Sequence, residues 1–184
     1  MSRILPSTLE VVRRQLNQFL QNASRRQDDW VVMGSPVESD GSSNNAALNR
    51  IMMVVVNIGR EAGQGGSPAV QLDLTVDLGF MANFASQNYG DGLVALSLVI
   101  ACFQQQPLLT QSSHPDLDGE LSKVSLEMLN QSPADLNHIF GTMGCKYLPS
   151  VFYRLRVLPY RSVPLQPRAL PVRGGTLDEP ALRR

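Results

Sequence analysis

The sequence predicts an α+β protein in which about three helices pack on a mainly antiparallel sheet. Clean apolar–polar alternation, which is the strand period, occurs at residues 70–80, and residues 150–158 alternate less strictly. Apolar residues at helical spacing occur between and before them, at residues 7–23, 89–106 and 132–143. The chain has 184 residues, enough for one hydrophobic core. Strands with a few interposed helices are typical of α+β domains with helices on the sheet.

The first element is predicted to be an amphipathic helix that begins at Ser7. Ser7 and Glu10 have the spacing of a capping box, and Pro6 precedes the cap. An apolar stripe follows at helical spacing: Leu9, Val12, Leu16, Phe19, Leu20 and Ala23. The polar face is expected to consist of Arg13, Arg14, Gln15, Asn17 and Gln18.

Three strands are predicted next. Residues 30–33 form a short apolar segment, and residues 51–58 are apolar on both faces up to Asn57, which predicts a strand buried on both sides. Residues 70–80 alternate cleanly. We expect the last two segments to form a long antiparallel hairpin, with the glycine-rich residues 61–68 as its tip.

The second helix is predicted from Tyr89 or Asp91 to Gln106, where Pro107 ends it. Its apolar stripe contains Leu93, Leu96, Ile100 and Phe103, and Val94, Leu98 and Val99 widen it. A helix this apolar is expected to be buried on more than one side.

The third helix follows a loop at residues 108–120 and an alternating strand at residues 123–129. Ser132 is the predicted N-cap, Pro133 occupies the first helical position, and Asp135 lies near the positive end of the helix. Gly141 or Gly144 ends the helix. The expected buried stripe is Leu136, Ile139, Phe140 and Met143.

The last strand carries two arginines among apolar residues. Val151, Tyr153, Leu155 and Val157 share one face; Phe152, Arg154, Arg156 and Leu158 share the other. Asp73 and Asp77 share the polar face of an earlier strand. Three interpretations remain open: the opposite charges pair within one sheet, pair across two copies of the protein, or are solvated independently.

The chain is predicted to divide into a folded domain, residues 1–160, and a proline-rich C-terminal arm, residues 161–184. Pro164, Pro167, Pro171 and Pro180 exclude a helix or a central strand there. The arm is therefore either disordered or an extended segment that orders on binding.

Composition excludes several classes of function. Sixteen basic and sixteen acidic residues cancel, so there is no basic excess for general nucleic-acid binding, and low charge suits association.

The two cysteines are expected to be free thiols. The longest apolar run is too short for a membrane span, and the N-terminus lacks a signal-peptide core. We expect a soluble protein made in the cytoplasm.

No catalytic or metal-binding constellation stands out. His114 and His138 lack neighbouring ligands at metal spacing, and nucleophile-elbow, HExxH and CxxC motifs are absent from the sequence. The glycines at residues 63–66 join two strands instead of opening a helix, unlike a phosphate loop. We therefore predict a protein that is not an enzyme and needs no cofactor or metal.

Two long segments carry a resemblance to a known family. They are "NYGDGLVALSLVIACFQQQPLLT" and "LSKVSLEMLNQSPADLNHIFGTMGCKYLPSVFYRLRVL". Their most specific parts are Phe103-Gln104 shortly before a proline and the run from Leu136-Asn137 through Gly144, Tyr147, Pro149-Ser150-Val151 and Tyr153 to Arg156. Together they resemble the cap, or tube-terminator, family of phage-tail-like contractile injection systems, of the antifeeding-prophage and virulence-cassette type.

The resemblance covers most of residues 5–160 and implies a role in assembly. It implies a mixed α/β fold that forms a homo-hexameric ring, ends the inner tube at its distal end, and anchors the last layer of contractile sheath. The implied partners are other copies of the chain, the inner tube protein and the sheath protein, met in the cytoplasm within a phage-tail-like particle. Gly90 and Gly92 depart from the family's helix-forming residues, which predicts a frayed start of the second helix.

In such a ring, one patch of each copy meets a different patch of the next. Our hypothesis places the subunit or tube interface at Arg154, Arg156, Phe152, Asp73 and Asp77. Arg161, Arg168 and Arg173 of the arm would contact the sheath or a neighbouring copy. The alternative function is a monomeric α+β domain that binds a small molecule or peptide, with the second helix lining the pocket.

Overall fold

The computed structural model describes residues 3–24, 26–38, 40–60, 71–119, 121 and 123–161, but not the side chains of residues 71–73 and 158–161. These residues form three helices and one six-stranded sheet. In chain order the elements are α1 (Ile4–Ala23), β1 (Val31–Met33), β2 (Arg50–Arg60), β3 (Gln71–Asn83), α2 (Tyr89–Gln105), β4 (Leu108–Leu109), β5 (Lys123–Leu129), α3 (Pro133–Met143) and β6 (Ser150–Arg161).

The sheet is mixed and not purely antiparallel. Its strand order is β1-β2-β3-β6-β5-β4, and only the β1–β2 pair is parallel. The predicted hairpin strands are confirmed as antiparallel neighbours, whereas its predicted tip lies outside the described residues. β4 is a two-residue strand within the segment that the sequence predicted to be a loop. The α+β class with about three helices is confirmed.

The first face of the sheet carries the main core, covered by α1 and α2. Its centre is an aromatic cluster in which the ring of Phe103 lies 5.3 Å from that of Phe80 and 4.9 Å from that of Tyr153. Leu16 and Leu20 of α1 are fully buried in the same core. Aromatic pairs at such distances add to the stabilisation that burial provides.

The second face is covered only in part, by α3. A smaller buried cluster there contains Met52, Val54, Met81, Phe140 and Phe152. Val55, just before the bulge in β2, and Ile58, beyond it, are exposed. The predicted burial of this strand on both sides is therefore right only for its first half.

α1 begins one turn earlier than predicted, with Arg3 as N-cap. The Ser7 hydroxyl donates to the carbonyl oxygen of Arg3, and Glu10 pairs with Arg13 at 2.7 Å. The predicted capping box at Ser7 and Glu10 is therefore wrong. Pro6 lies in the first turn of α1. The backbone N–H groups of a first turn have no carbonyl partner within the helix, so a proline, which lacks the N–H, is tolerated there.

Asn17 is buried, although its position in the sequence placed it on the polar face of α1. Its side-chain oxygen accepts hydrogen bonds from the backbone N–H groups of Trp30 and Val31, both at 2.8 Å. These bonds join the start of β1 to α1. Because β1 is an edge strand, they replace hydrogen bonds that a neighbouring strand would otherwise accept.

α2 buries a different stripe from the one predicted. The buried residues are Gly92, Ala95, Leu96, Val99, Cys102 and Phe103, whereas Leu93 and Val94 are exposed. At Gly92 the helix packs closely, because a β-carbon there would lie 3.2 Å from the ring of Phe84 and 3.3 Å from the β-carbon of Ala82. α2 starts at Tyr89 and includes both glycines, whereas the fraying predicted at its start stays a prediction.

α3 has the start that the sequence predicted. Ser132 and Asp135 form a capping box, with Pro133 at the first position. Of the two glycines proposed to end the helix, Gly144 does so, with a positive φ of 66°. Only Phe140 of the predicted stripe is fully buried; Leu136, Ile139 and Met143 are half-buried beside the smaller cluster.

Candidate subunit interface

The sheet register brings charged residues of three strands together on the second face. β6 lies between β3 and β5, with Arg154 opposite Asp77 on one side and opposite Glu127 on the other. Arg156 faces Thr75 and Ser125. Since side chains alternate along each strand, all these residues point away from the main core. We call Asp77, Glu127, Arg154 and Arg156 the charged strip.

Arg154 and Asp77 form a bidentate ion pair within the sheet. Nε of Arg154 lies 2.7 Å from one carboxylate oxygen of Asp77, and Nη2 lies 3.0 Å from the other. The Asp77 side chain is only 15% exposed, and that of Arg154 is 38% exposed. This two-bond geometry fixes the guanidinium plane.

Arg156 pairs diagonally with Glu127, its Nη2 atom lying 2.9 Å from the carboxylate. The Glu127 side chain is 60% exposed, so this pair is the more solvated of the two. Of the three interpretations left open by the sequence, pairing within one sheet holds for Arg154 with Asp77. The strip still presents charges of both signs to solvent, an arrangement that can fix the register of a protein contact.

The other predicted interface residues lie in different surroundings. Phe152 is buried beneath α3, at 3% exposure, and so supports the strip from within the fold. Asp73 lies in β3 at a register shift between Leu72 and Leu74. Arg161 ends β6. The side chains of Asp73 and Arg161, and all of Arg168 and Arg173, lie outside the described residues.

The sequence did not predict Glu127 as an interface residue, and it marked Tyr147 only as part of the family resemblance. Glu127 lies on the polar side of an alternating strand, but pairing it with Arg156 requires the strand order. Tyr147 follows α3 and is 62% exposed, with its ring stacked edge-on against Phe140. An exposed tyrosine after a helix end is a weak signal in a single sequence.

The remaining reactive groups are dispersed. Within the described ranges, no group of three or more His, Cys, Asp or Glu side chains is placed to hold a metal ion. His114 lies in the loop before β5, with Nδ1 3.0 Å from the Ser113 hydroxyl, and burial lowers its pKa. Cys102 and Cys145 are free, and burial raises the pKa of Cys102 to about 11.

None of the helices in the described part of the chain combines the length and the apolar character needed to cross a membrane.

Two solved structures share this fold. One is described as the PVC sheath/tube terminator, in the extended state, of an extracellular contractile injection system; its TM-score is 0.56 at 14% identity, over 95% of this chain and 64% of that one. The other is described as the tube-terminating cap of the anti-feeding prophage, with a TM-score of 0.52 at 11% identity, over 91% of this chain and 60% of that one. The chain thus spans about three-fifths of either protein.

No curated protein matches the chain. Its sequence does match one family, described as the Pvc16 N-terminal domain, over residues 7–174. That match takes in α1 from Ser7 onward, α2, α3 and the whole sheet, and the two structures with the same fold are both described as terminators. The protein therefore belongs to the Pvc16 N-terminal domain family.

Proposed function

We propose that this protein is a structural cap of a phage-tail-like contractile injection system. It ends the inner tube and anchors the distal end of the sheath, and it acts as a homo-hexameric ring. Its partners in this role are further copies of itself, the inner tube protein and the contractile sheath protein, and it assembles with them in the cytoplasm.

The observation that carries the proposal is the family match over residues 7–174, joined to a fold shared with two terminator structures. The role of those proteins, given in their descriptions, is to terminate a tube or sheath. Such a role needs surfaces for assembly and no catalytic centre, which agrees with the dispersed reactive groups of the described chain.

The charged strip supports a contact between copies. A closed ring uses a heterologous interface, so the strip of one copy would meet a different surface of the next. Arg156 and Glu127 are the more exposed pair and therefore the better candidates for direct contact. Arg154 and Asp77 would hold the strand in place behind them, with Phe152 beneath.

Substitution of Arg156 by glutamate tests this assignment. Arg156→Glu places a negative charge beside Glu127, where solvent screens it, so the monomer should fold with stability changed by only about 1 kcal/mol. Across an interface the same reversal opposes the neighbour's charge, and ring formation should fail. Native mass spectrometry over a concentration series measures the ring, and circular dichroism measures the fold.

Arg14→Glu is the matched control, because Arg14 is an exposed arginine in an ion pair with Asp116, on the helical side of the molecule. It should leave the hexamer intact. Normal assembly of Arg156→Glu would remove the strip from the interface. A wild-type chain that stays monomeric at high concentration, with normal tube lengths in particles that lack it, would overturn the cap function itself.

A further inference from the structure

An apolar groove lies beside α3 and the segment that follows it. Leu136, Phe140, Cys145 and Tyr147 line it, together with Pro133, and its volume is about 560 Å³. The rings of Phe140 and Tyr147 meet edge to face, with centroids 5.2 Å apart. Phe140 is buried and lies at the bottom of the groove, whereas Tyr147 is 62% exposed and forms one side of it.

Grooves lined by aromatic rings suit proline-containing segments. A proline-rich segment favours the extended polyproline II conformation before it binds, so it loses little conformational entropy on docking. This chain contains such a segment after β6, with Pro164 and Pro167 spaced as P-x-x-P and Leu165 between them. Residues 161–175 carry Arg161, Arg168 and Arg173 and no acidic residue.

The length of β6 decides which groove this segment can reach. Phe152 shares a buried cluster with Phe140, and Arg161 lies nine residues further along β6, or about 30 Å away at the strand rise. A chain extends at most about 3.6 Å per residue, so Pro164 and Pro167 lie within about 11 Å and about 22 Å of Arg161. Neither proline can reach the groove of its own copy.

We infer that the segment containing Pro164 and Pro167 docks in the α3 groove of a neighbouring copy of the chain. This inference rests on the proposed ring and names the receptor site for its C-terminal arm. Docking in trans adds a flexible tether to each subunit contact, and it raises the effective concentration of neighbouring copies for each other.

Peptide binding tests the groove directly. A fluorescent peptide of residues 161–175 is titrated with the full chain, and fluorescence anisotropy reports binding. We expect saturable binding to wild type, and Tyr147→Ala should weaken it about five- to tenfold, the loss expected for one aromatic contact. Tyr147→Phe should bind like wild type, because the ring remains.

Tyr89→Ala is the matched control, since Tyr89 is also an exposed aromatic residue but lies at the start of α2. It should bind the peptide like wild type. Thermal unfolding shows whether each variant is folded, and exposure of both tyrosines makes loss of the fold unexpected. Equal affinity of wild type and Tyr147→Ala, or no binding to either, would overturn the assigned groove.

A disulfide trap separates docking in trans from docking in cis. Leu165→Cys places a thiol between the two prolines, and mild oxidation links it to Cys145 when the segment occupies a groove. The expected product is a covalent dimer or larger oligomer on a non-reducing gel, which the added substitution Cys145→Ser abolishes. A product confined to single chains would overturn docking between copies.

The two experiments also keep this inference separate from the cap function. The peptide can also bind a monomer. If the wild-type chain binds the peptide but forms no ring, the groove stays assigned and the ring is disproved. A normal hexamer in Tyr147→Ala, with no peptide binding by wild type, would remove the groove and leave the cap function standing.

Discussion

At the scale of single residues, the Arg154–Asp77 pair shows how a charged position is accommodated in the middle of a sheet. Both residues lie on central strands, and the Arg154 guanidinium donates two hydrogen bonds to the Asp77 carboxylate. The Asp77 side chain is only 15% exposed, so folding removes part of the hydration of its carboxylate. Without Arg154, no hydrogen bond from that side chain would compensate for this loss. In the Arg156–Glu127 pair the Glu127 side chain is 60% exposed and its carboxylate keeps most of its hydration, so it depends less on its arginine.

A double-mutant cycle should separate these two pairs. Asp77→Ala, Arg154→Ala and the double variant should give a coupling free energy of about 1 kcal/mol, because this pair is bidentate and partly covered. The same cycle with Glu127 and Arg156 serves as the control and should give less than about 0.5 kcal/mol, since the Glu127 side chain is 60% exposed. Urea unfolding measures each variant; equal coupling in both cycles would contradict this ranking.

At the scale of the element, α3 has the strongest local signals in the chain. Its capping box satisfies the N–H groups at its start, and Gly144 ends it in a conformation that suits glycine. The same helix covers the smaller core cluster with Phe140 and forms one side of the α3 groove. Its stability is therefore expected to affect both the second face and arm docking.

Removal of the cap hydroxyl should destabilise the protein. Ser132→Ala loses the bond from the Asp135 N–H to the serine oxygen, and the free energy of unfolding should fall by about 1 kcal/mol. Ser97→Ala is the control, because the Ser97 hydroxyl only donates back to its own helix, to the carbonyl of Leu93. It should change stability by less than about 0.5 kcal/mol. Equal losses in the two variants would contradict a capping role.

The effect of Ser132→Ala should depend on pH. Hydrogen bonds from Ser132 lower the pKa of Asp135 below its ordinary value of 3.8. A carboxylate whose pKa is lower in the folded state contributes stability above its unfolded pKa, and this contribution disappears as the pH falls through the folded pKa. The stability difference between wild type and Ser132→Ala should therefore narrow below pH 3.8. A difference that stays constant from pH 7 to about pH 2.5 would rule out this linkage.

At the scale of the whole molecule, the strand order places the two longest neighbours, β3 and β6, at the centre of the sheet. Both of their first-face stripes are buried under α2, around Phe80 and Tyr153. The edge strands β1 and β4 have only three and two residues. Stability should therefore fall from the centre of the sheet to both edges.

Native-state hydrogen exchange should show this gradient. The amides of Val76–Phe80 and Tyr153–Val157 should exchange only through global unfolding, because strands cover them on both sides. The amides of β4 should exchange faster, by local opening. Exchange rates measured by NMR at several denaturant concentrations distinguish the two classes. Fast exchange in β6 would contradict the central placement of this strand.

The sequence alone determined the elements whose signals are local. The period of two determined the faces of β6, and Ser132 and Pro133 determined the start of α3, because alternation and N-capping depend on residues close together in the chain. The structure decided between Gly141 and Gly144 as the end of that helix. The resemblance carried by residues 88–110 and 121–158 also identified the family.

Only the tertiary structure decided which residues meet across distant strands. The pairing of Arg154 with Asp77 and of Arg156 with Glu127 follows from strand order and register, which no local pattern encodes. In the same way, the burial of Asn17, the exposure of Leu93 and the groove beside Tyr147 depend on what packs against each helix. Periodicity gives a helix its apolar stripe, but the neighbouring elements decide which part of that stripe is covered.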